Sequence, residues 1–155
     1  MTVLSGQTIR RLGLLYPLRE KYIDPNGCSC GLSIAGYDIT LDHNARFAPH
    51  SFVLVSSQEQ FMLPPNVLGV VHDKSSLARK GLAVQNTVLE PGWRGYLTME
   101  ITNHTDQAFY LVEGSAVAQV VFHFLDEPAE QPYRGKYQNQ QRGPQAPLKE
   151  DGTPF

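Results

Sequence analysis

Tyr96-Leu97-Thr98-Met99-Glu100-Ile101-Thr102 alternates apolar and polar side chains without a break. Period two marks a strand with one face on a core and the other turned away, because successive Cβ atoms leave a strand on opposite sides. Leu97, Met99 and Ile101 therefore share the core face, and Thr98, Glu100 and Thr102 the other. The pattern continues outward from this stretch. Downstream, the residues from Val117 to Phe124 alternate in the same way. Upstream, Ile34, Tyr37 and Ile39 lead into Leu41, and Phe52-Val53-Leu54-Val55, Phe61-Met62-Leu63, Val67 to Val71 and Leu82-Ala83-Val84 form short apolar runs broken by Pro, Gly or Asn. With 13 Gly and 11 Pro among 155 residues, turns prevail over long helices. Many short strands between such turns predict a mainly β chain, a sandwich or a barrel.

Two stretches read as helix. Leu4-Ser5-Gly6-Gln7-Thr8-Ile9 predicts a first helix with Ser5 as N-cap and Leu4, Ile9, Leu12 and Leu15 as apolar contacts, ending near Tyr16-Pro17. Ser75-Ser76-Leu77-Ala78-Arg79-Lys80-Gly81 predicts a second of about two turns, closed by Gly81. The length fits one domain, a β body over residues 1–125. Residues 126–155 are rich in Gln, Pro, Gly and Arg and nearly free of apolar side chains. Such a tail cannot pack a core of its own, so it is either disordered or folded against a ligand or a neighbouring subunit.

Thirteen Lys+Arg against 15 Asp+Glu leave a net charge of -2, which argues against coating nucleic acid or an anionic membrane through bulk charge. Charged residues make up 18% of the chain, below the usual ~25%, so part of the surface is expected to be uncharged or covered by a partner. No apolar run reaches the ~18–20 residues that span a bilayer, and the N-terminus lacks the features of a signal peptide; a cytoplasmic protein is expected. Cys28 and Cys30 read as two reduced, unpaired thiols. Zinc-dependent nucleobase deaminases need H-x-E and P-C-x-x-C, and neither occurs; nor does a phosphate-binding G-x-x-x-x-G-K-[ST] or G-x-G-x-x-G loop.

Taken singly, the polar residues have plain explanations. Glu100 fits a solvated strand face, Glu90 a Pro-Gly turn and Ser75-Ser76 a helix cap, while Arg79 and Lys80 complement a helix dipole. Together they say more. Lys74, Ser75, Ser76 and Arg79 gather hydroxyls, N–H groups and two cations at one short helix, and Arg94, Arg134 and Lys136 add to that charge. A triphosphate needs such a cluster, and an acidic chain can offer it only locally.

These residues resemble the dCTP deaminases, the metal-independent branch of the trimeric dUTPase-like superfamily. Asp73-Lys74-Ser75-Ser76-Leu77-Ala78-Arg79-Lys80-Gly81-Leu82 is similar to the family's D-[GR]-R-S-S-L-A-R-x-G-L signature. Glu90-Pro91-Gly92-Trp93-Arg94-Gly95, Leu97-Thr98-Met99-Glu100 and Ala35-Gly36-Tyr37-Asp38 follow as further motifs, and the likeness runs from Leu4-Ser5 to Lys136-Tyr137-Gln138-Asn139-Gln140-Gln141. The resemblance implies a distorted antiparallel β-barrel or jelly roll of the β-clip kind with one or two short helices, assembled as a homotrimer with active sites between subunits. It implies that Glu100 is general base and proton shuttle, with Ser75 and Arg79 orienting water and base. Lys74, Ser75 and Ser76 would meet the phosphates, Glu90 the sugar, and Thr98, Met99 and Glu100 the base. Tyr133, Lys136 and Gln140 would close the tail over the triphosphate, with Mg²⁺ carried by its oxygens and neither zinc nor any protein-held metal. Three departures stand out: Lys74 replaces an Arg, Glu90 replaces an Asp, and Ala83 to Leu89 runs about two residues short beside the base.

The resemblance implies deamination of dCTP to dUTP and ammonia on the route to dTTP, with dTTP as the family's usual inhibitor and no nucleic-acid or membrane partner. An alternative is dUTP pyrophosphatase activity, alone or added to deamination to give dUMP, with Glu90 activating water. The tail lacks the Gly-rich arm and stacking aromatic of a pure dUTPase. A third reading is a non-catalytic nucleotide-binding regulator on the same scaffold.

Overall fold

In the computed structural model, which describes residues 2–155, the chain opens with strand β1 (Thr2–Val3) and helix α1 (Gly6–Leu12). Ser5 does hold the N-cap position. Its carbonyl accepts the N–H groups of Thr8 and Ile9, both at 3.0 Å, while its hydroxyl meets Thr8 Oγ1 at 3.2 Å and caps nothing. The helix is shorter than the sequence suggests. Gly13 turns left-handed (φ 62°) and donates its N–H to Ile9 O at 3.2 Å, which ends α1 before Leu15 and Tyr16. Those two residues form strand β2 (Leu15–Tyr16) instead.

The rest of the chain is almost all strand: β3 (Tyr22–Ile23), β4 (Ser29–Cys30), β5 (Tyr37–Thr40), β6 (Ala45–Phe47), β7 (Phe52–Met62), β8 (Val67–Asp73), helix α2 (Ser75–Ala78), β9 (Leu82–Val84), β10 (Val88–Leu89), β11 (Arg94–Asn103), β12 (Phe109–Leu111) and β13 (Ala116–Phe124). All paired strands are antiparallel. One sheet runs β2-β7-β11-β9, and a second runs β1-β13-β8-β10 with β5 also on β13; β6 and β12, and β3 and β4, pair separately. The alternating stretch behaves as its pattern demands. Leu97, Met99 and Ile101 are buried in the core with Phe61, Val71, Val120 and Phe122, whereas Thr98, Glu100 and Thr102 stay half-buried on the other face.

Two local differences from the sequence reading have physical causes. The runs at Phe52 and Phe61 belong to one strand, because the polar residues between them find partners inside the fold. Glu59, with a fully buried side chain, accepts bonds from the Thr40 N–H (3.0 Å) and Thr40 Oγ1 (2.7 Å), and Ser57 Oγ accepts from the Leu97 N–H at 2.9 Å. Helix α2 is a single turn with Lys74 at the N-cap, so neither Ser75 nor Ser76 caps it. Gly81 is left-handed (φ 86°) as expected, and its N–H closes on Ala78 O at 3.0 Å.

The tail after Phe124 lies along its own chain. The Asn139 N–H donates to Arg94 O (2.8 Å), the Tyr96 N–H to Gln140 O (3.0 Å), and Trp93 Nε1 to Tyr137 O (2.8 Å). Tyr133 packs against the core of the body. Among the described residues no helix is long and apolar enough to cross a membrane.

Candidate active site

Glu100 leaves the outward face of β11 opposite Leu54 of β7 and lines a cavity of about 460 Å³. Leu89, Trp93 and Leu97 from the body and Tyr133 and Tyr137 from the tail make its walls largely apolar. No salt bridge pairs with Glu100 among the described residues, and burial pushes its carboxyl above the usual carboxylate range. Thr98, two residues back on the same face, is bound by the tail: Gln140 Nε2 donates to its Oγ1 at 3.1 Å and the Gln145 N–H at 3.0 Å. Glu90 stands exposed at the rim of the same cavity, and its carbonyl accepts the Trp93 N–H at 3.0 Å. Met99 points the other way, into the core, with 1% of its surface exposed. Only its backbone could face a ligand here.

Ser75 and Lys74 line a different and larger cavity, of about 1040 Å³, together with Ser29, Asp38, Asp73 and Gln119. Among the described residues, none lines both cavities. Lys74 is engaged rather than free: its ammonium lies 3.0 Å from Asp38 Oδ2 and donates to Ser29 O at 2.7 Å. Burial pushes the Asp38 carboxyl up, and the Lys74 contact opposes that. Ser75 and Arg79 are exposed, and Ser76 Oγ is buried without a partner. Lys136 pairs with Glu150 at 2.7 Å and lies 5.4 Å over the Tyr137 ring.

One chain thus brings together Glu90, Thr98, Glu100, Tyr133 and Gln140, and keeps Lys74 and Ser75 apart from them. The sequence reading missed Tyr137, Phe52, Leu54 and the Gln145-Ala146-Pro147 segment, all of which line the Glu100 cavity. Tyr137 carried a signal, an aromatic beside Lys136. Phe52 and Leu54 carried none, since they reach the cavity only through the register of β7 on β11. Among the described residues no three His, Cys, Asp or Glu side chains converge as a metal cluster, and both cysteines are free thiols.

The fold belongs to the dUTPase-like class. EIAV dUTPase superposes with a TM-score of 0.54 at 24% identity, covering 64% of this chain and 82% of that one. The 2'-deoxycytidine 5'-triphosphate deaminase from Agrobacterium tumefaciens superposes with a TM-score of 0.66 at 17% identity, covering 79% of this chain and 48% of that one. Within this class, residues 37–125 match the family described as dCTP deaminase-like. A dCTP deaminase of Acidobacterium capsulatum is 32% identical over 91% of this chain and 96% of its own length. The chain belongs to the dCTP deaminase family.

Proposed function

We propose that the protein deaminates dCTP to dUTP and ammonia with Glu100 as general base. The observation that carries this reading is the half-buried Glu100 carboxyl, raised by burial and unpaired, on the strand face that the tail covers. A carboxylate in such a pocket is a stronger base than one in water, and so is suited to take a proton from the water that adds to C4. Glu100 passes that proton to N3, then takes the remaining proton from the new C4 hydroxyl and hands it to the amino group; the C4–N bond breaks as the C4 carbonyl forms, and ammonia leaves. Ser75 and Arg79 orient the water and the base, and the Arg79 guanidinium stabilises developing negative charge.

Ser75 and Glu100 line separate cavities of one chain, which supports a homotrimer in which one subunit's Ser75 and Arg79 face the Glu100 cavity of its neighbour. Ser76, with its buried unpartnered hydroxyl, meets the phosphates in this reading, and Tyr133, Lys136 and Gln140 hold residues 126–155 closed as a lid. In this reading Mg²⁺ arrives with the substrate, carried on the triphosphate oxygens. In this reading the enzyme works in the cytoplasm, with dTTP as its expected feedback inhibitor.

Glu90 on the rim of the Glu100 cavity favours one second reading, a bifunctional enzyme that goes on to dUMP and pyrophosphate. Glu90→Gln then removes pyrophosphate release and spares ammonia release. Equal loss of both assigns Glu90 to sugar binding. For the main reading the test is Glu100→Gln, which abolishes ammonia release from dCTP while triphosphate binding by calorimetry stays nearly intact; activity within tenfold of the unsubstituted protein removes Glu100 from the role.

A further inference from the structure

We propose that Asp42 is a positioning residue: its carboxylate, with that of Glu113, docks the Arg142 guanidinium of the tail and so seats residues 143–147 as a wall of the Glu100 cavity. Asp42 lies just past β5, and its N–H donates to Ser56 O of β7 at 3.0 Å, which fixes the loop against that strand. Its side chain is only 5% exposed. One carboxylate oxygen, Oδ1, meets His43 Nδ1, and the other, Oδ2, lies 3.6 Å from Arg142 Nε. Glu113 stands on the second side, with Oε1 3.9 Å from Arg142 Nη2. It is held there by Gln58 Nε2, which donates to Oε1 at 3.3 Å, and by its own N–H, which donates to Asn44 Oδ1 at 2.9 Å. Two loops far apart in sequence thus make one acidic notch. Among the described residues, Arg142 is the one lysine or arginine within salt-bridge reach of either acid.

The chain on either side of Arg142 shows what this dock controls. Before it, Gln140 Nε2 donates to Tyr96 O at 2.9 Å and to Thr98 Oγ1 at 3.1 Å. After it, the Gly143 N–H donates to Oγ of the fully buried Ser56 at 3.1 Å. Gly143 is left-handed (φ 96°), and the turn brings the Gln145 N–H back to Thr98 Oγ1 at 3.0 Å. Ser56 and Thr98 are direct partners in the pairing of β7 with β11, so two facing hydroxyls receive the tail immediately after the charged contact. Gln145, Ala146 and Pro147 then line the Glu100 cavity. Ser56 also holds the Asp42 N–H through its carbonyl. One residue of β7 therefore sets both the carboxylate that meets Arg142 and the hydroxyl that meets Gly143. A nearly buried carboxylate calls for a cationic partner, and the tail supplies one only when it lies on this face.

Arg142 is half-exposed and its contacts are long, so the dock is expected to shift closing of the tail by no more than about fivefold. Arg142→Gln and Asp42→Asn should each speed hydrogen exchange at the Gly143 and Gln145 amides by about three- to fivefold. The Asn139 amide, held by Arg94 O, should stay within about 1.5-fold. Combining the two substitutions should add nothing to either alone, because both remove the same contact. Salt at about 1 M, where screening acts over about 3 Å, should loosen the same two amides in the unsubstituted protein and leave the combined variant unchanged. Arg142→Lys keeps the charge and should hold exchange within about twofold. Unchanged exchange in both single variants, additive effects, equal acceleration at Asn139, or no response of the unsubstituted protein to salt overturns the proposal, as does exchange in Arg142→Lys as fast as in Arg142→Gln. Should Asp42→Asn fail to fold, the Arg142 variants and the salt response decide by the same criteria. The kinetic part rests on the proposed deamination: each single variant should raise KM for dCTP about three- to fivefold with kcat within about twofold, and a fall in kcat at constant KM overturns the positioning role. If the unsubstituted protein releases no ammonia, the deaminase reading fails alone, and the exchange rates still decide the role of Asp42.

Discussion

In the proposed mechanism Glu100 gains its basicity at a thermodynamic cost. Burial raises its carboxyl pKa, and a carboxyl with a higher pKa folded than unfolded favours folding while protonated and costs stability as pH rises through the folded value. Glu100→Gln is therefore expected to lower kcat by about a thousandfold, within the range of a lost general base, and to raise the melting temperature at pH 7. That gain should vanish below pH ~4, where the unsubstituted carboxyl is also neutral. The acid limb of the kcat/KM profile, which reports the free enzyme, should lie above the usual carboxylate range, since the base works only when ionised; a limb at or below the ordinary Glu value contradicts this. The face on which Glu100 lies was legible from period two alone. The engagement of Lys74 was not, because its partner Asp38 sits on a strand distant in sequence and its second acceptor, the Ser29 carbonyl, is invisible to any reading of side chains.

Elements were legible where local chemistry decides them and illegible where distant contacts do. β11 and β13 announce themselves by alternation, and Gly81 by its place after an apolar turn. Gly81→Ala is expected to destabilise the protein by about 1–3 kcal/mol in urea unfolding, because φ is 86° and an added Cβ would lie 2.3 Å from Thr105 Cγ2. A loss under about 0.5 kcal/mol would mean the loop yields freely. The middle of β7 looked like a break because Ser56 to Gln60 is polar, and only the pairing of Glu59 with Thr40 makes a strand there tolerable. The tail was recognisable as unable to build a core, yet its berth on β11 was not. At Gly95 (φ 152°) an added Cβ would come 2.7 Å from Gln140 N. Gly95→Ala should loosen residues 139–141 and raise KM for dCTP several-fold while the melting temperature falls little; unchanged KM would show that this contact does not hold the lid.

At the scale of the molecule, the mild negative charge and the low charge content of 18% argue for local anion binding and covered surface. Separate cavities for Ser75 and Glu100 give that idea a geometric form. Ser75→Ala and Glu100→Gln, each expected to be inactive alone, should regain activity when unfolded and refolded together, since about a quarter of the sites in randomly assorted trimers combine two intact contributions. No recovery, or a monomer in light scattering that is active at the same concentration, would place the whole site in one chain. Neither cavity was visible in the sequence as a pocket, because walls such as Phe52, Leu54 and Pro147 come from strand register and tail docking. The central claim is narrower and can be tested first. Purified protein incubated with dCTP and Mg²⁺ should release ammonia in step with loss of dCTP and formation of dUTP, or of dUMP where Glu90 also acts; no ammonia from dCTP would contradict it.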